Sequence, residues 1–270
     1  MLRSADCIIA NSATTALQLQ QSFGLQNVHT IANGYAITRI KKLSAASDER
    51  FDALFNEYKV LVHTGRLEYD KGQWHLLRIF AEVIKKEPDA RLIILGNGSY
   101  IPRLLSLCEL LNLKAQQIDE QTNSVDETCH VYFCGFQKNP YSFYPKSKMF
   151  LFPSIYEGLP NAPIEALICG LPCFLSDCIS GPKEILFPDA INTPTVTKAM
   201  VSKYGILLPP FDGKEIFDRS ELIPNEVIWK DQIIASLSNE NQLLEMRNNT
   251  SDICIKYDAS HVMEKWREFC

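Results

Sequence analysis

The chain has 270 residues, 46% of them hydrophobic and 22% charged, enough for one large or two modest units with a real core. A net charge of -5 excludes an overall basic surface made for nucleic acid, so no nucleic-acid partner is expected; a local basic site for a phosphorylated ligand stays open. The nine cysteines are odd in number and form no C-x-x-C pair, which argues against a disulfide framework or a zinc site and for buried thiols in a reducing cytosol.

Residues 1–40 carry a lone strand "CIIA", a helical "SATTALQLQQSFG" and "VHTIANGY", the closing piece of another domain plus a hinge. Strand and helix patterns then alternate. "VLVHTG" (60–65) is a buried strand, followed by a helix with Trp74, Leu77, Phe80 and Ile84 at helical spacing. "RLIILG" (91–96) is a second strand and "YIPRLLSLCELLNL" a second helix. The polar "AQQIDEQTNSVDET" (115–128) reads as a solvent-exposed insertion. "HVYFCG" (130–135), "MFLFPS" (149–154), "PCFLSD" (172–177) and "GILL" (205–208) are further strands, with a short helix "NAPIEALICG" between the second and third of these. From about 225 the tail is helical. This order predicts an α/β fold, a doubly wound parallel sheet covered by helices on both faces. The expected divisions are 1–40, 41–250 and a return helix over 251–270. No signal-peptide core is visible, and no apolar run exceeds strand length. Attachment at a membrane face stays open.

Ligands in such folds sit beyond the carboxyl ends of the strands, so the residues there are the candidates. After the first strand come Gly65, Arg66 and Lys71, two cations near a helix start, suited to a diphosphate or else plain surface charges. After the second, "GNGSYI" begins like a dinucleotide fingerprint, but Ile101 stands where the third glycine belongs. Gly96 and Gly98 still allow a tight turn. After the third, Gly135 and Phe136 suit a base pocket; Phe136 taken alone reads as core. His63 reads as a core histidine.

The fourth strand runs into "EGLPNAPIEAL" (157–167). An unbroken helix over eight residues would advance about 12 Å and turn roughly 800°. Gly158 and Pro160 forbid it, so Glu157 reads as a loop residue, with Asn161 capping a helix that holds Glu165 in its first turns. Both acids then face one cleft, with backbone N–H groups near Leu159 and Asn161 between them. Carboxylates so placed suit vicinal hydroxyls of ribose or a hexose. Glu165 alone also fits a simple interaction with the helix dipole.

Taken together, "ANS" (10–12), "ANGY" (32–35), "GRLEYDKG" (65–72), "IILGNG" (93–98), "VYFCGF" (131–136), "FPSIYEGLPNAPIEALICGLP" (152–172), "SGPKEIL" (180–186) and "YGILLPP" (204–210) form an ordered set. On these motifs the chain resembles the carboxy-terminal, donor-binding half of a family 4 retaining glycosyltransferase with the GT-B fold, a Rossmann-like domain. Residues 5–23 then resemble a remnant of the amino-terminal domain. The resemblance implies a nucleotide-sugar substrate, with UDP as the expected nucleotide, and no metal or cofactor. It implies that Arg66 and Lys71 hold the diphosphate, that Glu165 binds ribose, and that Glu157 contacts the donor sugar. It also places Gly65, Gly96 and Phe136 around the nucleotide and Gly158, Leu159, Pro160 and Asn161 against sugar and phosphate. Catalysis would rest on Glu157, Arg66 and Lys71. The implied acceptor is a glycan or lipid-linked acceptor at the inner membrane face in surface polysaccharide synthesis, with a separate amino-terminal acceptor domain as a partner. A non-catalytic sugar-nucleotide-binding module and a GT-B-fold UDP-sugar epimerase are the alternatives.

Overall fold

The computed structural model describes residues 5–269; Cys270 and residues 1–4, which the expected divisions include, lie outside the described residues. A small unit opens the chain: β1 (Ile8–Ala10), α1 (Ala13–Phe23) and β2 (Val28–Thr30), with β1 and β2 parallel. Two helices, α2 (Ile37–Ser44) and α3 (Asp52–Glu57), lead into the main sheet. Its first half alternates β3 (Lys59–Thr64), α4 (Gln73–Val83), β4 (Ala90–Leu95), α5 (Ile101–Leu110), β5 (Ala115–Gln117) and β6 (Val131–Phe133). Its second half holds β7 (Met149–Phe152), α6 (Asn161–Ile168), β8 (Cys173–Ser176), α7 (Pro182–Leu186), β9 (Met200–Ser202) and β10 (Gly205–Leu208). Helices α8 (Pro224–Leu237), α9 (Glu240–Asn248), α10 (Ser251–Tyr257) and α11 (Ala259–Trp266) complete the tail.

The strand order is β5-β6-β4-β3-β7-β8-β10-β9, parallel except for β9 against β10. The chain builds outward from β3 in one direction and then restarts at β7 on its other side. The β3–β7 seam is therefore the topological switch point, where open α/β sheets leave a crevice at their carboxyl ends. The strands read as continuous apolar runs because both faces are covered. Successive residues enter opposite cores: Val60 and Val62 join Phe150, Phe152, Cys173 and Leu175 under α6, whereas Leu61 joins Leu151, Phe174 and Ile206 under α4 and α8. On α4, Trp74, Leu77 and Phe80 are almost fully buried, worth about 1.5–3 kcal/mol each for the apolar ones.

One sequence expectation changes here. Residues 115–128 are not wholly an exposed insertion, because Ala115–Gln117 pairs with β6 as the sheet edge and Ile118 is buried. An edge strand needs only its backbone to pair, so its polar side chains gave no strand signal. Cys134 and Cys173 are core thiols as expected, while Cys7 is exposed.

The opening unit is seated on the "SGPKEIL" segment. The Glu184 carboxylate accepts from the Ala13 N–H at 2.9 Å and from Thr14 at 3.4 Å, an anion at the start of α1. The Ser12 hydroxyl also lies 3.2 Å from that of Ser180. Gly181 takes a φ of 83°, and a Cβ there would stand 1.9 Å from the Gly158 carbonyl oxygen. The glycine thus lets this segment press on the loop that carries Glu157 and Gly158.

Candidate functional site

Two loops meet at the switch point. The loop after β3 carries Gly65, Arg66, Asp70 and Lys71; the loop after β7 carries Glu157 to Pro160. They are tied by the Ile155 N–H donating to the Asp70 carbonyl at 2.9 Å. Gly72, with a φ of 62°, brings the chain so close to the β7 loop that a Cβ would stand 2.5 Å from the Pro153 oxygen.

Lys71 is largely enclosed. Its Nζ donates to Glu157 Oε1 at 2.7 Å and contacts Asp70 Oδ2 at 2.8 Å. Burial works to lower the ammonium pKa, but the two carboxylates outweigh it and hold it above its ordinary value. Burial likewise works to raise Asp70, and Lys71 and Arg66 outweigh it, holding the carboxyl below its usual range. Arg66 differs from Lys71: its side chain is 71% exposed and, among the described residues, pairs with Asp70 alone, at 3.2 Å. The structure thus joins Arg66, Asp70, Lys71 and Glu157 into one chain of alternating charge, with the largely exposed Arg66 guanidinium at its solvent end. Asp70 was missed in the sequence. Its signal was an acid four residues after Arg66 and directly before Lys71.

His63 lies behind this loop, fully buried. Its Nδ1–H donates to the Leu151 carbonyl at 2.9 Å, and Gln73 Nε2 approaches its Nε2 at 3.2 Å. Burial, only partly countered by the bond to Leu151, pushes it down to about 4, so the ring is a neutral core group as expected.

Gly65, Arg66, Gly96 and Phe136 line one cleft of about 310 Å³ beyond β3, β4 and β6. Gly96 takes a φ of 134°, and a Cβ there would stand 1.9 Å from the Gly65 oxygen, so this close crossing of two loops needs glycine. Phe136 is 72% exposed, which corrects its reading as core: it follows the left-handed Gly135, which turns it out over the cleft.

The helix after β7 also departs from expectation. Pro160, not Asn161, is the N-cap residue, with φ −73° and ψ 128°. Its ring already sets the extended geometry of a cap, so the helix starts one residue earlier than a capping Asn161 would require. Asn161 is the first helical residue and its side chain turns to the linker, accepting from Asn33 Nδ2 and the Tyr35 hydroxyl, both at 2.7 Å. The first N–H groups of α6 consequently have no side-chain cap. Leu159 is buried, and Gly158 has open space around its Cβ position.

Glu165 accepts from the Tyr141 hydroxyl at 3.2 Å. Burial raises its carboxyl above the ordinary value, partly opposed by that bond. It faces a cavity of about 500 Å³ shared with Asn33, Tyr35, Asn161 and Trp266. Glu157 is held by Lys71 instead, so the two acids have separate surroundings, which corrects the expectation that both face one cleft. Sequence reasoning missed Tyr141, Tyr35 and Asn33, which lie far from their partners along the chain.

A family model described as glycosyl transferases group 1 matches residues 46–198. An uncharacterised glycosyltransferase of Methanocaldococcus jannaschii is 34% identical over 97% of this chain and 63% of its own length. An N-acetylgalactosaminyltransferase of Campylobacter jejuni, whose name gives a diphospho-undecaprenol-linked acceptor, is 28% identical over 68% of this chain and 45% of its own. Among solved structures, HepE of Anabaena in complex with UDP superposes with a TM-score of 0.73 at 18% identity, over 99% of this chain and 64% of that one. The chain thus spans less than two thirds of the length of each of these proteins. The fold shared with HepE is the α/β sheet built here around the β3–β7 seam, and the chain belongs to the glycosyl transferases group 1 family.

Proposed function

We propose that the chain binds a nucleotide sugar, with UDP as the nucleotide, and serves its transfer to a glycan or lipid-linked acceptor. The observation that carries this reading is the Arg66–Asp70–Lys71–Glu157 chain standing beside an uncapped helix N-terminus at the switch point. Breaking the anomeric bond leaves negative charge on the departing diphosphate. Arg66, Lys71 and the first N–H groups of α6 stabilise that charge more than the ground state. Glu157 takes a donor-sugar hydroxyl while its other partner, Lys71, sits on the phosphate side. Glu165 takes the ribose hydroxyls, and the cleft under Phe136 takes the base.

The UDP in the HepE complex supports the choice of nucleotide, and the lipid-linked acceptor in the C. jejuni enzyme's name supports the acceptor class. Retention of anomeric configuration, by front-face attack in which the leaving phosphate helps deprotonate the acceptor, belongs to the same proposal. So do operation without metal or cofactor, a place at the cytoplasmic membrane face, and an acceptor-binding domain completing the second wall of the cleft. No helix among the described residues is long and apolar enough to cross a membrane.

A thermal-shift screen of UDP- and GDP-sugars tests the donor. A ligand at 100 times its dissociation constant adds about 2.7 kcal/mol of stability. Stabilisation by UDP-sugars alone is expected, and no shift with any nucleotide sugar would remove the reading.

A further inference from the structure

The segment leaving the opening unit and the segment returning from the tail run side by side. The Tyr35 N–H donates to the Tyr257 carbonyl at 2.8 Å, and the Ala259 N–H donates to the Tyr35 carbonyl at 2.9 Å. Gly34 lets this pair close on α11, since a Cβ there would stand 3.0 Å from the Ala259 Cα. The Tyr35 ring is buried, edge-on to Tyr257 with centroids 6.2 Å apart. Its hydroxyl leaves this packed spot to meet Asn161 Oδ1, where Asn33 donates a second bond from the same linker. Two donors from one linker therefore converge on a single acceptor, the side chain of the first residue of α6. That oxygen is thereby kept from folding back to cap its own helix, and the α6 N–H groups stay available.

We infer that Tyr35 and Asn33 are positioning residues for the donor: by holding the Asn161 side chain away from the start of α6, they keep its N–H groups open to the diphosphate and tie donor binding to the linker between the two units. In this inference both act through the Asn161 side chain. The inference rests on the nucleotide-sugar reading above, so the experiment separates the two.

Calorimetric titration of UDP into the full chain is compared for wild type, Tyr35→Phe, Asn33→Ala, Asn161→Ala and the double variant Tyr35→Phe/Asn161→Ala. Tyr35→Phe keeps the buried ring and removes only the hydroxyl; Asn33→Ala supplies a second probe should that variant fold poorly. The expected result is about fivefold weaker UDP binding in each linker variant, the worth of one neutral hydrogen bond. The double variant is expected to bind no more weakly than Asn161→Ala alone, and uridine, which lacks the diphosphate, to bind all of them alike. UDP affinity unchanged in both linker variants, or penalties that add in the double variant, would overturn the inference while leaving the donor reading intact. Failure of the wild type to bind UDP would overturn both.

Discussion

Replacing Lys71 by Met removes the one cation that sits between Asp70 and Glu157. The side chains of all three are 10–13% exposed, so water does little to screen the two carboxylates left behind. Breaking a buried ion pair from one side costs about 3–5 kcal/mol. Asp70 keeps Arg66 at 3.2 Å, which moderates the loss toward about 3 kcal/mol. The sign of the pH dependence follows. Asp70 is held below its ordinary value in the folded wild type, so its contribution is present above about pH 4 and is lost as pH falls through the folded value. The variant has already lost most of that contribution. Its deficit against wild type is therefore full at pH 7 and smaller at about pH 3, where the wild type is losing the contribution of Asp70. Urea unfolding of both proteins at the two pH values measures this directly. A deficit below about 1 kcal/mol at pH 7, or one that does not change with pH, would refute the picture of Lys71 as the shared counter-ion.

Other consequences are open to similar tests. His63 is neutral when folded with a value of about 4, so the unfolded chain alone takes up its proton near pH 6; stability from this group falls by about 2 kcal/mol between pH 7 and pH 5, and His63→Gln should flatten that slope in unfolding titrations. Gly181→Ala forces a Cβ to within 1.9 Å of the Gly158 oxygen at a left-handed φ and should cost about 2–3 kcal/mol, whereas Gly158→Ala, with open space, should cost about 0.5 kcal/mol or less; equal losses in denaturation would contradict the close-contact account. Glu226 is fully buried, accepts from His75 at 2.7 Å and from Arg78 at 3.0 Å, and caps the Ile223 N–H at the start of α8. Glu226→Ala strands the Arg78 charge and should cost about 3–4 kcal/mol; a loss under about 1 kcal/mol in urea would show that the carbonyls around Arg78 suffice alone.

The architecture was legible wherever burial dictated residue type. β3, β4, β7 and β8 are covered on both faces, so their sequences are unbroken apolar runs, and their alternation with helices implied a parallel sheet. β5 was hidden because an edge strand is held by backbone bonds that leave no mark on side chains. At the site, Gly65, Arg66, Lys71 and Glu157 were readable as residues just past strand ends. What they do to one another was less so: Asp70 went unread until the fold set it between two cations. Asn161 was misplaced because it is a favoured cap residue by type, whereas Pro160 took the position through its extended backbone. Tyr35, Asn33 and Tyr141 were out of reach, since their partners are set by how the linker and the turn before β7 fold back on α6.

The central claim is the proposal that Arg66 and Glu165, which line separate cavities, grip two parts of one nucleotide. Isothermal titration of UDP into wild type, Arg66→Ala and Glu165→Ala tests it. Saturable binding by wild type is predicted, with each variant weaker by about tenfold or more, the worth of a hydrogen bond to a charged group. Equal affinity in all three proteins, or no binding by the wild type, would contradict the account.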